Sequence, residues 1–154
     1  MKNVFVFQTK IGLVAIEDNG TEITDVNVIS ENHSIEVNET SLLKNAALQL
    51  NEYLEGKRNS FDLPLNPNGT EFQKKVWAAL CDIPYGETRS YKQIAEYIGN
   101  PKACRAVGMA NNKNPIMIFI PCHRVVGSDG SLTGYAGGLD MKEKLLSLEK
   151  GKAI

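Results

Sequence analysis

The second half of the chain contains the stretch IMIFIPCHRVV, residues 116–126. Its first five residues are all apolar, a pattern typical of a short buried strand. Such a strand would present Cys122 and His123 at its end, with Arg124 directly after them. The glycine-rich stretch that follows, residues 127–138, allows the backbone to approach a ligand closely. The sequence therefore predicts a functional site where this strand ends.

Cys122 and His123 are the residue types of a nucleophile and an adjacent base. A free thiol titrates at about 8.5, so it is largely neutral at pH 7 unless a nearby base or cation, such as Arg124, lowers its pKa. A histidine base needs a carboxylate on its other ring nitrogen, and Glu149 is the candidate. Because neighbouring side chains on a strand point to opposite faces, we expect a turn or a bridging water between cysteine and histidine. An inert buried cysteine and a solvated glutamate are the alternative interpretation.

Two short helices are predicted upstream of this stretch. Ser90 and Gln93 form a capping box for a helix over residues 91–98, and a glycine follows at the expected C-terminal cap. Asn100 can cap a second helix over residues 101–111, which has a proline at its first position. Two short helices joined by a tight turn resemble a helix-turn-helix unit.

Arg105 lies on the second of these helices among small residues. A helix with small side chains can approach a nucleic-acid groove closely, and a single long cation on it would reach in. Tyr91, near the start of the first helix, could donate a hydrogen bond to a bound base. A solvated arginine and a core tyrosine are the plainer alternatives.

The first half of the chain has a different pattern. Apolar residues in the segments 4–7, 11–16 and 23–29, separated by turn residues, predict a hairpin-rich sheet. Leucine and alanine then recur at helical spacing over residues 42–54. Residues 61–68 contain two prolines and are predicted to form an extended connector.

Two further helices complete the predicted elements. Thr70 and Gln73 form a capping box, and the helix that they open must end near Pro84. Asp140 and Glu143 suggest the start of a final helix that ends around residue 149. We expect Met141, Leu145 and Leu148 to face inward from it.

Charge divides the chain unevenly. The 154 residues carry a net charge of −1, and the chain is long enough for one sizeable core or two small ones. Residues 1–84 carry 7 basic and 12 acidic side chains, a net −5, whereas residues 85–154 carry 10 basic and 6 acidic ones, a net +4. This asymmetry favours a polyanionic partner for the second half.

The remaining composition excludes several classes of protein. Cys81, Cys104 and Cys122 show no CxxC spacing, so we expect neither disulfides nor a zinc site built from them. No apolar run reaches the ~18 residues that a membrane span needs. The N-terminus lacks a cleavage site, so we expect no signal peptide, no membrane association and a cytoplasmic location.

The stretch IPCHRVV, residues 120–126, resembles the active-site signature of the O6-alkylguanine-DNA alkyltransferases, a family of suicidal DNA-repair methyltransferases. A pattern of this length is far more specific than a short glycine motif. Further segments resemble the family in order and spacing: residues 83–86, 90–91, 99–101, 105–108, 114–115, 134–139 and 142–149. The resemblance is dense between residues 72 and 149, whereas residues 1–65 match in layout and in the helix end at residues 53–56.

The resemblance implies an α+β fold of two domains. Residues 1–65 would form a small ribonuclease-H-like α/β scaffold domain, and residues 66–154 a winged-helix-like domain that contains the helix-turn-helix. It also implies a monomer that acts, without cofactor or metal, on double-stranded DNA containing O6-alkylguanine, and on O4-alkylthymine as a further possible substrate.

The resemblance assigns a role to each residue of the site. Cys122 would accept the alkyl group, activated through a water by His123, which Glu149 holds. Tyr91 would donate to the guanine ring, and Asn114 would hold the turn that leads to the active-site strand. The product is a thioether, so each molecule would react once.

The same resemblance places the DNA and the base. Arg105 would fill the space left by the flipped nucleotide, with its helix in the minor groove. The other residues expected to contact DNA are Ser90, Lys102, Ala106, Gly108 and Arg124. Val125, Tyr135 and Ala136 would read the guanine edge. Some members have a serine where this chain has Ala136, and the N-terminal zinc ligands of some relatives have no counterpart here.

Two other functions are consistent with parts of the sequence. A related group of proteins carries a tryptophan in place of the cysteine and only binds lesions, and Cys122 argues against that function. A cysteine hydrolase could use Cys122, His123 and Glu149, but it would leave the predicted helix-turn-helix with Arg105 unexplained.

Overall fold

The computed structural model describes residues 2–30, 37–135 and 138–154. The N-terminal part begins with an antiparallel sheet whose strands, in order, are β1 (Asn3–Thr9), β2 (Gly12–Asp18) and β3 (Ile23–Ile29). Val14 and Ile16 of β2 point to the same face and are completely buried. The hairpin-rich sheet predicted from the first half of the chain is confirmed.

Helix α1 (Ser41–Leu54) lies against β1 and β2. Thr40 is its N-cap, because the hydroxyl accepts a hydrogen bond from the backbone N–H of Leu43. Apolar residues at helical spacing form one buried face, which includes Leu50 and Tyr53. This face carries Tyr53 toward residues of the second half of the chain.

Two segments from outside the sheet run along the free edge of β3. The backbone N–H of Ile23 donates to the C=O of Pro64 at 2.8 Å, and the N–H of Val26 donates to the C=O of Pro115 at 2.9 Å. The first partner belongs to the predicted connector and the second lies shortly before the cysteine–histidine pair. Both halves of the chain therefore meet at this edge.

Residues 116–120 are buried but do not form the predicted strand. The backbone N–H of Ile120 donates to the C=O of Ile116 at 3.0 Å, which closes the segment into a turn. Ile118 has a φ of 73°, a left-handed conformation that isoleucine rarely adopts. All five side chains are at most 7% exposed. The five apolar residues in a row thus indicate only that the segment is buried. Over so few residues, the spacing of apolar side chains cannot distinguish a buried turn from a buried strand.

Three helices follow the connector: α2 (Glu71–Leu80), α3 (Tyr91–Tyr97) and α4 (Cys104–Asn112). The capping boxes predicted at Thr70 and Ser90 are both present, with the side-chain and backbone hydrogen bonds that define the motif. Helices α2, α3 and α4 pack against one another.

The prediction that Asn100 caps α4 is wrong. The backbone N–H of Asn100 donates to the C=O of Ala95 at 2.9 Å, which completes the C-terminal cap of α3. Helix α4 begins later, at Cys104, after Ala103 and without a side-chain cap. Pro101 therefore lies in the turn between the helices, because Asn100 already ends the first of them.

The last elements surround the cysteine–histidine pair. Strand β4 (Arg89–Ser90) pairs in parallel with β5 (Val125–Val126), and helix α5 (Leu139–Leu148) ends the fold. Gly138, rather than Asp140, is the N-cap of α5, and Asp140 lies in its first turn. Within the described part of the chain, no helix combines the length and the apolar character that a membrane span requires.

Candidate active site

Cys122 and His123 lie in one 3-10 turn, Cys122–Arg124. Asn114 holds the segment that precedes it: its Nδ2 donates to the C=O of Ile120 at 2.8 Å, and its Oδ1 accepts from the N–H of Ile116 at 3.0 Å. This turn is one of the two arrangements that the sequence predicted between the cysteine and the histidine. Because the two residues do not lie on a strand, their side chains need not point to opposite faces.

The thiol of Cys122 is neutral in this structure. Cys122 is only 3% exposed, and burial raises the pKa of its thiol to about 11, against the opposing influence of the Asn114 side chain and the Lys142 ammonium. The cation that lowers this pKa is Lys142 and not Arg124, which the sequence suggested, and burial outweighs its influence.

His123 is completely buried and bonded to the carboxylate expected from the sequence. Its Nε2 lies 2.7 Å from Oε2 of Glu149, and burial lowers the pKa of the imidazole below its ordinary value. Because an ionised carboxylate only accepts hydrogen bonds, Nε2 carries a proton. The other ring nitrogen, Nδ1, is buried and has no partner among the described residues. His123 is thus a neutral base with one free lone pair.

Glu149 is held by an unusual number of donors. Arg124 binds both carboxylate oxygens, with Nε 2.8 Å from Oε1 and Nη2 2.9 Å from Oε2, and the backbone N–H of Gly86 donates to Oε1 at 3.2 Å. Burial by itself would raise the pKa of Glu149, but the bonds from His123 and Arg124 outweigh it and hold the pKa at about 2. The carboxylate is therefore ionised throughout the physiological range.

Arg124 does not lie on a DNA-binding surface, contrary to the prediction. Its side chain is buried, and Nη1 donates to the C=O of Ile83 at 2.8 Å while its other nitrogens bind Glu149. Each of the three guanidinium nitrogens thus donates a hydrogen bond inside the protein. A cation that neutralises a buried carboxylate is not available to a phosphate.

Tyr53 is a member of this cluster that sequence reasoning missed. Its hydroxyl donates a short hydrogen bond to Oε2 of Glu149 and lies 3.4 Å from Nε2 of His123. Burial and the neighbouring carboxylate raise the pKa of the phenol, so it stays protonated. The sequence held no signal for this contact, because Tyr53 follows the apolar spacing of α1 and is 96 residues from its partner.

Lys142 is the second residue that was missed. It is completely buried, and its Nζ donates to the C=O of Val125 at 2.5 Å and to the C=O of Thr133 at 2.8 Å. The expected inward residues Leu145 and Leu148 are buried as well, whereas Met141 is only partly so. A lysine three residues before Leu145 lies on the apolar face, and this spacing could have identified it.

Tyr91 faces the glycine-rich segment. Its hydroxyl donates to the C=O of Thr133 at 3.1 Å and accepts from Oγ1 of the same residue at 3.0 Å. The Tyr91 ring also lies against Gly108 of α4, where an added Cβ would be 3.7 Å from the ring. Tyr91 therefore links α3, α4 and the segment that follows the cysteine.

Two of the three residues expected to read a guanine, Val125 and Tyr135, are within the described part of the chain. Val125 is buried, and its C=O is occupied by Lys142. Tyr135 is buried with a hydroxyl that has no partner among residues 2–30, 37–135 and 138–154. Ala136 lies outside the described residues.

The residues expected to contact DNA lie mostly on the outside of α3 and α4. Lys102, Arg105 and Ala106 are exposed, and the Ser90 hydroxyl is the N-cap of α3, accepting from the N–H of Gln93 at 3.0 Å. The sequence suggested that Arg105 is surrounded by small residues on α4, but the exposed surface of this helix also carries a large side chain. Met109, one turn after Arg105, is 64% exposed.

Metal ligands are not grouped anywhere in the described part of the chain: no cluster of three His, Cys, Asp or Glu is placed to hold an ion. Cys81, Cys104 and Cys122 are all free thiols.

Cys122 therefore precedes a histidine that is bonded to a buried carboxylate, and this arrangement can be compared with known proteins. The model of the 6-O-methylguanine DNA methyltransferase ribonuclease-like domain matches residues 4–67, and that of the DNA-binding domain matches residues 71–151. The chain belongs to the 6-O-methylguanine DNA methyltransferase family. The expected family and the expected order of a ribonuclease-like and a DNA-binding domain are confirmed.

Individual relatives agree with this family. The methylated-DNA–protein-cysteine methyltransferase of Methanosarcina barkeri is 52% identical over 150 residues, which cover 94% of this chain and 95% of the relative. The inducible one of Bacillus subtilis is 45% identical over 151 residues, which cover 96% of this chain and 84% of the relative. Mycobacterium tuberculosis OGT in complex with DNA superposes with a TM-score of 0.90 at 43% identity, covering 98% of this chain and 94% of that one.

Proposed function

We propose that this protein repairs alkylated DNA by transferring the alkyl group from O6 of guanine to Sγ of Cys122. This is the activity named for its relatives, the methylated-DNA–protein-cysteine methyltransferases. The observation that carries the assignment of the acceptor is the buried 3-10 turn in which Cys122 precedes His123, with His123 bonded to an ionised Glu149.

The proton of the thiol is the first obstacle, since the pKa of Cys122 is about 11. In the proposed mechanism His123 accepts this proton at Nδ1 through a water, and Glu149 stabilises the imidazolium that forms. The sulfur then attacks the alkyl carbon, the C–O6 bond breaks, and the electron pair goes to the guanine. Tyr91 donates its phenol proton to the ring so that the base leaves neutral, and the imidazolium of His123 or solvent returns a proton to the phenolate. The thioether is not hydrolysed, so each molecule reacts once.

The reactive atom lies inside a duplex, so the nucleotide has to be flipped out, at a cost of a few kcal/mol. We propose that Arg105 fills the vacated space from the minor groove, with Ser90, Lys102, Ala106 and Gly108 close to the DNA. Arg105 is exposed on α4, as this role requires.

Entry of the base requires a local rearrangement. Cys122 is 3% exposed, and the Tyr91 hydroxyl is bonded to Thr133. The Tyr91–Thr133 pair therefore opens before Tyr91 can donate to a base.

Val125, Tyr135 and Ala136 are proposed to read the guanine edge once the base has entered, and O4-alkylthymine is proposed as a second substrate. We propose that the protein acts as a monomer in the cytoplasm.

A mass measurement tests this function directly. The intact protein is weighed after incubation with a duplex that contains O6-methylguanine, and we expect one added methyl group that maps to Cys122. Cys122→Ala should gain no methyl group, whereas Cys81→Ala, which removes an exposed thiol, should react like the unaltered protein.

Other outcomes would assign another function. Unmodified protein that still retains the methylated duplex would favour a lesion-binding protein. A methyl group that maps to Cys81 or Cys104 would contradict the role of Cys122.

A further inference from the structure

We propose that Tyr53, a residue of the N-terminal half, is a positioning residue for alkyl transfer: its hydroxyl holds the Glu149 carboxylate and fixes the direction of the hydrogen bond between Glu149 and His123. The proposal rests on the proposed function, because it concerns the residue that takes the proton from Cys122. It assigns to α1 a part in the chemistry, beyond its place in the scaffold.

The geometry at one oxygen atom carries the argument. Oε2 of Glu149 accepts from the Tyr53 hydroxyl, from Nε2 of His123 at 2.7 Å and from Nη2 of Arg124 at 2.9 Å. A carboxylate oxygen has about two lone pairs, so the three donors share its charge. Every donor added to Oε2 weakens the bond that His123 makes with it.

The tautomer of His123 follows from the same contacts. The Tyr53 hydroxyl uses its only proton in the hydrogen bond to Glu149. Toward Nε2 of His123, 3.4 Å away, its oxygen can therefore only accept a hydrogen bond. Both groups next to Nε2 therefore require a proton on that nitrogen. The lone pair of the neutral ring is left on Nδ1, the nitrogen that the reaction needs.

The charged and titratable groups around His123 come from several elements. Glu149 follows α5, Arg124 belongs to the 3-10 turn, Lys142 lies on α5 and the Cys122 thiol precedes His123 in the chain. Glu149 favours the imidazolium, whereas burial, Arg124 and Lys142 disfavour it. Tyr53 adds to the second group, because its hydrogen bond draws negative charge away from Oε2. It thereby keeps His123 neutral and able to accept a proton.

The ring of Tyr53 is held independently of its hydroxyl. Its centroid is 5.3 Å from that of Phe61 and 6.2 Å from that of Tyr85. A phenylalanine at position 53 would keep these contacts, so Tyr53→Phe removes the hydrogen bond and little else. Tyr85→Phe is the matched control, since the Tyr85 hydroxyl contacts the C=O of Leu148 at 3.5 Å and not the carboxylate.

The test compares the rate of methyl transfer from an O6-methylguanine duplex as a function of pH, in a single turnover, for the unaltered protein, Tyr53→Phe and Tyr85→Phe. Removing the donor leaves more charge on Oε2 for His123, which stabilises the imidazolium. We expect the acidic limb of the Tyr53→Phe profile to move to higher pH by about half a unit or more. The Tyr85→Phe profile should coincide with that of the unaltered protein.

A second readout does not depend on activity. The His123 resonances of the DNA-free proteins are titrated by NMR, and the midpoint should move upward in Tyr53→Phe alone. Profiles and midpoints that coincide in all three proteins would overturn the inference, and so would a loss of rate in Tyr53→Phe that is the same at every pH. If the unaltered protein transfers no methyl group, the proposed function itself fails.

Discussion

Glu149 shows how much of the site depends on one side chain. Its carboxylate neutralises Arg124, binds His123 and accepts from Tyr53, and all three partners are buried. Burying charges is costly unless each one is paired, and removal of one partner leaves the other uncompensated. Through its ion pair with Arg124, Glu149 therefore contributes to the stability of the fold as well as to the proposed proton transfer.

Glu149→Gln should destabilise the protein by about 3–5 kcal/mol, because the Arg124 guanidinium would remain buried without a counter-charge. Glu143→Gln, an exposed position on α5, is the matched control and should change the stability by no more than about 0.5 kcal/mol. Urea unfolding of the two variants measures both values. Equal stability of Glu149→Gln and Glu143→Gln would show that the ion pair contributes nothing.

Among the elements, α4 has one buried face and one exposed face. Val107 and Ala110 of α4 are buried, and the Trp77 indole N–H of α2 donates to the C=O of Ala110 at 2.9 Å. Arg105 and Met109, at i and i+4, share the opposite, exposed face. The packing of α4 on α2 thus determines which of its side chains remain exposed.

Arg105→Ala should slow repair of O6-methylguanine in a duplex by at least about tenfold and leave the rate with the free alkylated base within about twofold, because only the duplex requires a flipped nucleotide to be replaced. Single-turnover rates with both substrates measure this. Lys113→Ala, which removes an exposed cation after the end of α4, controls for general attraction to phosphates. An equal loss with duplex and free base would contradict the role of Arg105.

Local sequence signals succeeded where a helix end depends on nearby residues. The capping boxes at Thr70 and Ser90 form as predicted, because each uses a side chain and a backbone N–H only three residues apart. Asn100 and Asp140 carry similar signals and cap nothing, because the backbone of Asn100 ends α3 and Gly138 precedes α5. A cap is an intrinsic preference that the path of the neighbouring chain can override.

At the scale of the whole molecule, the two halves share both a sheet edge and an active site. The connector and the segment before the 3-10 turn bond to β3, and Tyr53 of α1 reaches Glu149 near the end of the chain. The N-terminal half therefore contributes to the geometry of the site that lies in the C-terminal half.

Stability should fall when the pH is lowered. The pKa of buried His123 is below its ordinary 6.5, and that of Glu149 is about 2 instead of 4.5, so in both cases the unfolded chain binds protons first. We expect the free energy of unfolding to decrease below about pH 6.5 through His123, and again between about pH 4.5 and 2 through Glu149, by a few kcal/mol in all.

Urea unfolding at a series of pH values measures this decrease. In Glu149→Gln the decrease in the free energy of unfolding below about pH 4.5 should be smaller, because the titrating carboxylate is gone. A free energy of unfolding that stays constant between pH 6.5 and 4.5 would contradict the neutral, buried state of His123.

We could predict from the sequence the family, the order of the two domains, most helices and the candidate nucleophile, base and carboxylate, because these follow from a specific local motif and from the spacing of apolar residues. The burial of Arg124 and Lys142, the contact of Tyr53 with Glu149 and the turn at residues 116–120 became evident in the folded structure alone. These features arise from contacts between residues far apart in the chain, and the free energy of a buried charge depends on partners that no local pattern records.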